Sequence, residues 1–227
     1  MYLVLISLIS YLLGSIPFSY LVARAYEKNL FEIGSRNIGT ANVWRATGKK
    51  EALIVALIGD MGKGALAILI SQKFGFLGYN LFFGQVLAAF FVVLGHNWPI
   101  FLKFKGGRGL ATLAGVILAL KWQILFLVLV VIGFFIFLTE LVMKKRTGTQ
   151  PKAGWAGSFK EKLKGLFSIF ISQVLGRVIG IVAAAISVFL LYPQIFKILF
   201  PAVILSGIKH IKRNGRDRKS TRLNSSH

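Results

Sequence analysis

MYLVLISLISYLLGSIPFSYLVA, residues 1–23, contains no charged side chain, and the first charge is Arg24. A helix needs about 20 mainly apolar residues to cross the hydrocarbon of a bilayer, so this stretch is long enough to span. Ala23-Arg24-Ala25 offers the small residues of a signal-peptidase site. A secretory signal, however, carries its positive charge ahead of the apolar core, and here the charge follows it. The stretch reads as an uncleaved span with its amino end outside. Further apolar runs follow at 52–70, 81–95, 110–120, 122–143, 166–191 and 195–208. The runs 110–120 and 195–208 are short, which suits tilting or partial re-entry. The chain is 56% hydrophobic and 15% charged, with a mean hydropathy of +0.71. Soluble domains average roughly 45–50% apolar and about 25% charged residues. The expected fold is an all-α membrane protein, a polytopic bundle of about seven transmembrane helices, some short or re-entrant.

The charges orient that bundle. There are 28 Lys and Arg against 7 Asp and Glu, a net charge of +21. Such an excess attracts any polyanion, but its distribution argues against nucleic acid. Segments 24–50, 96–109, 143–164 and 209–227 hold six, three, seven and seven basic residues, 23 of the 28, and they alternate onto one side of the seven runs. Positive charge accumulates on the cytoplasmic side, so the carboxyl end is cytoplasmic and the amino end outside. Five crossings with two re-entrant pieces is the alternative count. Residues 1–218 read as a single domain. Within it, 144–164 is a basic insertion whose Trp155, Phe159 and Leu163 among lysines suggest a helix on the membrane surface. The polar end KSTRLNSSH, 219–227, reads as a non-native or disordered tail.

Three polar clusters fall near cytoplasmic span ends. In GSRNIGTANVWRATGKK, 34–50, glycines permit a concavity of backbone N–H groups that suits an anion. Ser35, Asn37, Thr40 and Asn42 add neutral donors, and Arg36 and Arg45 add planar forks that match phosphate oxygens. A polar loop carrying topology charges is the alternative. In GHNWPIFLKFKGGRGLAT, 95–112, Lys105 and Arg108 flank Gly106, Gly107 and Gly109, ahead of a helix start that would aim its positive end at an anion. His96 is a candidate base or phosphate donor, or else an interfacial histidine satisfied by its neighbours. Asp60 and Lys63 lie three apart in the second run, on one helical face, where they can pair. Ionisable groups at that depth mark a site or a structural pair, and Arg177 in the sixth run raises the same question.

Absent residue types narrow the chemistry. Without cysteine there is no thiolate catalysis, disulfide or cysteine metal site. The two aspartates, Asp60 and Asp217, form no metal-holding pair, which disfavours metal-assisted phosphatidyl transfer. No histidine is followed five residues on by aspartate, and G-x-S-x-G is missing, so neither an acyltransferase dyad nor a serine-esterase elbow has a candidate.

YLLGSIPFSYLVAR (11–24), the 34–50 loop, GDMGKG (59–64) and the 95–112 loop together resemble, in order and spacing over residues 11–120, the integral-membrane, acyl-phosphate-dependent glycerol-3-phosphate acyltransferases of bacterial phospholipid synthesis. The resemblance implies transfer of an acyl group from acyl phosphate to glycerol 3-phosphate, without metal or cofactor, at the cytoplasmic face of a bacterial-type plasma membrane. It places Ser35, Asn37, Gly39, Asn42 and Arg45 in the family's first motif and His96, Lys105, Gly106, Gly107 and Gly109 in its second. Arg108 stands where lysine is usual, and Thr40-Ala41 reverses the usual order. The implied catalytic residues are His96, Arg45 and Lys105. The implied phosphate-binding residues are Ser35, Asn37, Gly39, Asn42, Gly106, Gly107, Arg108 and Gly109. The partners it implies are acyl phosphate, glycerol 3-phosphate and membrane lipids. The carboxyl half departs from the pattern: the stretch 177–183 lacks the expected serines, and His210 is followed by an asparagine at 214, one residue late.

Acyl phosphate is already activated, so the chief requirements are proximity and charge stabilisation. The hydroxyl proton could pass to a substrate phosphate oxygen or to His96. An anionic-solute transporter is the rival suggested by the intramembrane charges, although the inverted repeats of such proteins are not visible. A catalytically impaired member acting as a partner in a lipid-synthesis complex is the other.

Overall fold

The structure, a computed structural model, describes residues 1–78, 80–147, 181–183 and 185–224. Among them every regular element is helical. The elements are α1 (Tyr2–Ser15), α2 (Phe18–Ala25), α3 (Thr40–Thr47), α4 (Lys50–Phe76), α5 (Leu81–Asn97), a 3-10 turn (Ile100–Leu102), α6 (Leu110–Thr147), α7 (Ile181–Leu191) and α8 (Pro193–Asn224). Among the described residues, four stretches are long and apolar enough to cross a membrane: Tyr2–Ala25, Lys50–Gly75, Leu81–Leu102 and Leu110–Thr139. Large apolar side chains are exposed along all four, as a hydrocarbon surround requires.

Two compact units divide the chain, 1–122 with 197–227, and 123–196. In the first unit, α1 packs along α5, and α4 packs against α2, α3 and α5. Glycines allow the closest crossings. A Cβ on Gly14 would lie 2.1 Å from the Val92 carbonyl oxygen, and one on Gly95 would lie 2.2 Å from that of Tyr11. Between α4 and α6 the same relation holds, with Gly64 against the Thr112 carbonyl oxygen (2.1 Å) and Gly115 against that of Met61 (1.9 Å). Helices in lipid gain little from burying oil away from oil, so backbone-to-backbone approach at small residues supplies the packing. In the second unit, Phe189 of α7 and Phe196 of α8 meet edge to face with centroids 5.2 Å apart.

The first apolar stretch is broken. Pro17 has no N–H to continue a helix and forces its predecessor into extended backbone, and Ile16 is found at φ −64°, ψ 114°. The runs 110–120 and 122–143 are separated only at Lys121, whose φ −166° and ψ 103° interrupt an otherwise continuous α6. The last run, 195–208, lies within a helix that passes through Pro201 and on to Asn224. Most of the basic insertion 144–164, most of the run 166–191 and Arg177 fall outside the described residues. The side chains of His210 and of residue 214 do so too.

Candidate functional site

Both glycine-rich loops belong to the first unit and line one cavity of about 400 Å³. The first loop is organised around Asn42, whose side chain is fully buried. Its Oδ1 accepts from the Ser35 backbone N–H (3.0 Å), and its amide faces the carbonyl oxygens of Ile33 and Asn37 (both 3.0 Å) and Leu30 (3.3 Å). Asn42 thus holds the loop in shape from inside. Beneath it, Leu30, Ile38 and Val43 form a small apolar core with Ala23, Ala52 and Ala56, joined by Leu102 from the second loop. Gly34 (φ +59°) and Arg36 (φ +51°) bend the backbone through the left-handed region. Gly39 precedes α3 in extended backbone, and no side chain caps that helix. The helix start therefore faces the cavity, along with Ser35, Asn37, Gly39, Thr40, Ala41 and Arg45.

The second loop contributes Arg108 and Gly109, followed by Leu110 and Ala111 at the start of α6. Two helix amino ends, each with a partial positive charge, and two arginines, Arg45 and Arg108, therefore border one cavity. Gly106 and Gly107 do not line it. A Cβ on Gly106 would strike the carbonyl oxygens of His96 and Asn97 at 2.3 and 2.4 Å, and one on Gly107 would lie 2.1 Å from His96 Nε2. Their smallness seats the loop on the end of α5, where the Gly107 N–H donates to the His96 carbonyl oxygen (3.0 Å). Lys105 is exposed and outside the cavity lining.

His96 and Asp60 reach the cavity from below. His96 is 5% exposed, with Nδ1 3.1 Å from Thr112 Oγ1 and 3.6 Å from Asp60 Oδ1. Asp60 Oδ1 pairs with Lys63 at 2.9 Å, and Asp60 Oδ2 accepts from the Ser19 hydroxyl at 2.5 Å. The Lys63 ammonium also donates to the Ile16 carbonyl oxygen at 2.8 Å. The same carbonyl also accepts from the Phe18 N–H (3.2 Å), at the break that Pro17 makes in the first span. Burial of an ion pair is favourable only when further hydrogen bonds satisfy both partners, and here α2, α4, α5, α6 and the α1–α2 break all contribute. The pairing legible from the i,i+3 spacing is present, and the intramembrane charge has an internal partner.

The carboxyl-terminal helix supplies residues that no local sequence signal marks. Ser206 of α8 donates to the Arg108 carbonyl oxygen. Lys209 donates to the Asn97 carbonyl oxygen (2.6 Å) and lies 4.5 Å from the Trp98 ring centroid. Asn97 Nδ2 reaches the Leu205 carbonyl oxygen at 3.5 Å. α8 therefore ties together both ends of the second loop.

A family model described as glycerol-3-phosphate acyltransferase matches residues 4–216. Glycerol-3-phosphate acyltransferase 3 of Dehalococcoides mccartyi (strain CBDB1) is 46% identical over 127 residues, 52% of this chain and 58% of that protein. The chain thus aligns with little more than half the length of that relative. A glycerol-3-phosphate acyltransferase of Wolbachia pipientis subsp. Culex pipiens (strain wPip) is 35% identical over 220 residues, 95% of this chain and 97% of that protein. Two crystal structures of PlsY (YgiH), an integral membrane glycerol 3-phosphate acyltransferase, superpose over 99% of this chain. The glycerol 3-phosphate form gives a TM-score of 0.62 at 24% identity and 94% coverage of that chain, and the lysophosphatidic acid form gives 0.63 at 25% and 93%.

Proposed function

The chain belongs to the glycerol-3-phosphate acyltransferase family, and from that premise we propose that it transfers an acyl group from acyl phosphate to glycerol 3-phosphate, giving 1-acyl-glycerol 3-phosphate and inorganic phosphate. The observation that carries this reading is the convergence of two helix amino ends, Arg45 and Arg108 on one cavity. Such a site suits two phosphate-bearing substrates held close together. A glycerol hydroxyl oxygen attacks the acyl carbonyl carbon and forms the ester bond. The acyl carbon–oxygen bond to phosphate breaks, and its electron pair leaves with the phosphate. The hydroxyl proton passes to a phosphate oxygen or to His96, which lines the same cavity with its ring held by Thr112 and Asp60.

Ser35, Asn37, Gly39, Arg45, Arg108 and Gly109 bind the phosphates and offset their charge. Asn42, Gly106 and Gly107 act by fixing the two loops that do so, His96 stands beside the phosphates as a proton acceptor, and Lys105 adds positive charge at the cavity's approach. No metal or cofactor takes part, nucleic acid is not a ligand, and the acyl chain enters from membrane lipid. The domain spans residues 1–218, with about seven transmembrane helices, some short or re-entrant, in a bacterial-type plasma membrane, the amino end outside and the site at the cytoplasmic face.

The test is initial phosphate release from purified full-length protein. Acyl phosphate with glycerol 3-phosphate is expected to turn over, equally fast in the presence of a metal chelator, whereas acyl-CoA and acyl carrier protein donors are not. Equal use of acyl-CoA, or loss of turnover on chelation, would overturn the donor assignment. Substrate binding without phosphate release would instead favour an impaired partner protein.

A further inference from the structure

The turn that joins α5 to α6 is built in a way no other described loop is. After Pro99 the short helix Ile100–Leu102 leads into Lys103 (φ +50°) and Phe104 (φ +61°), two consecutive non-glycine residues in the left-handed region. Glu27 and Arg36, the other described non-glycine residues there, each stand alone. A bulky side chain adopts this conformation rarely, and when it does the surroundings must hold it there. The result is a two-sided turn. Leu102 packs inward on the apolar core beneath the first loop, while Ile100, Phe101 and Phe104 are 48%, 61% and 56% exposed. Lys103 and Lys105 are exposed between and beside them.

Three large apolar side chains pushed outward have no benefit in water. They sit, however, at the end of the candidate span Leu81–Leu102, the level at which the chain leaves the hydrocarbon. At that level aromatic and aliphatic bodies are immersed while lysines extend toward headgroups. No acidic residue occurs anywhere from 61 to 139, so the turn brings positive charge without a carboxylate of its own stretch. Charge and apolarity together fit an anionic bilayer surface. We propose that the 100–105 turn is a membrane-surface binding element that selects anionic phospholipid headgroups, with Ile100, Phe101 and Phe104 immersed and Lys103 on the headgroup phosphate. Through Leu102 and the directly following Gly106-Gly107, the seating of this turn sets the position of both glycine loops.

The measurement uses the full chain carrying Phe104→Trp in phosphatidylcholine nanodiscs. An equal mole fraction of either phosphatidylcholine or phosphatidylglycerol, brominated near the headgroup end of the chain, is added as quencher. The signal of the parent protein, which has four tryptophans, is subtracted. The introduced indole is expected to be quenched by both lipids, and by phosphatidylglycerol up to about five-fold more, the preference one lysine near an anionic surface can supply. Adding Lys103→Gln should make the two lipids equal while leaving quenching by phosphatidylcholine in place, which also reports that the turn is still seated. Lys103→Arg should keep the difference. Absence of quenching by either lipid would mean that the patch faces water or a protein partner, and would sink the proposal. Equal quenching with Lys103 intact, or a difference that survives Lys103→Gln, would do the same.

Discussion

Arg45 is on α3, one residue past Trp44, exposed, and its side chain borders the cavity that both glycine loops line. Lysine in its place keeps the charge but loses the planar pair of donors that match phosphate. Arg45→Lys is expected to lower kcat/KM by the equivalent of roughly 1–3 kcal/mol, the scale of a hydrogen bond to a charged group. Arg24, exposed in the last turn of α2 and absent from the cavity, is the control. Arg24→Lys should leave phosphate release unchanged, because an interfacial anchor needs only charge. Equal rates for the two variants at matched expression would reduce Arg45 to a topology charge. At this scale the sequence was informative where chemistry is local. Glycine and guanidinium density marked both loops, and an i,i+3 spacing marked Asp60 with Lys63. It was less informative about which residues face a ligand. Asn42 and Gly107 lie in the same motifs as Arg45 and Arg108, yet Asn42 borders the cavity while its amide holds the loop from inside, and Gly107 packs against His96. Ser206 and Lys209 carried no signal, because their partners lie about a hundred residues earlier in the chain.

Among the elements, α4 carries two glycines two residues apart with opposite surroundings. A Cβ on Gly64 would meet the Thr112 carbonyl oxygen at 2.1 Å and the Val116 nitrogen at 3.1 Å, while one on Gly62 meets nothing within 4 Å. Gly62→Ala should therefore be neutral or stabilising by up to about 1 kcal/mol, the ordinary gain of alanine over glycine in a helix. Gly64→Ala must part α4 from α6, a strain of the order of 1–3 kcal/mol. It would also shift Thr112 away from His96. Thermal unfolding in detergent is expected to show a lower Tm for Gly64→Ala only. Similar midpoints for both variants would mean that the α4–α6 crossing is looser than the backbone contact implies. Sequence could place α4 from its apolar run, but both glycines fall in the same GDMGKG motif, and helix-crossing geometry alone separates them. The break in the first span was legible in principle, since Pro17 restricts Ile16, but run length outweighed it in reading one continuous segment.

For the molecule as a whole, the contacts of the first unit fix which ends of its helices share a side. The Asn80 backbone N–H donates to the Tyr2 hydroxyl at 3.1 Å, so the start of α1 and the α4–α5 connection lie at one end. The two glycine loops meet at one cavity, and Tyr11, on the last turn of α1 but one, donates its hydroxyl to the Trp98 carbonyl oxygen at 3.0 Å. Both loops therefore lie at the same end of these helices, and we propose from the basic residues of 24–50 and 96–109 that this end is cytoplasmic. Because the chain has no cysteine, single substitutions report without background. Leu77 is 72% exposed beside the α4–α5 connection, and Lys49 and Lys103 are exposed on the loop side. In intact cells an impermeant thiol reagent should label Leu77→Cys and spare Lys49→Cys and Lys103→Cys, both of which react after lysis. The reverse pattern would invert the membrane assignment but keep the fold. Labelling of Lys49→Cys and Lys103→Cys from opposite sides would contradict the shared cavity itself, and with it the convergence of Arg45 and Arg108 on which the acyl-transfer reading stands.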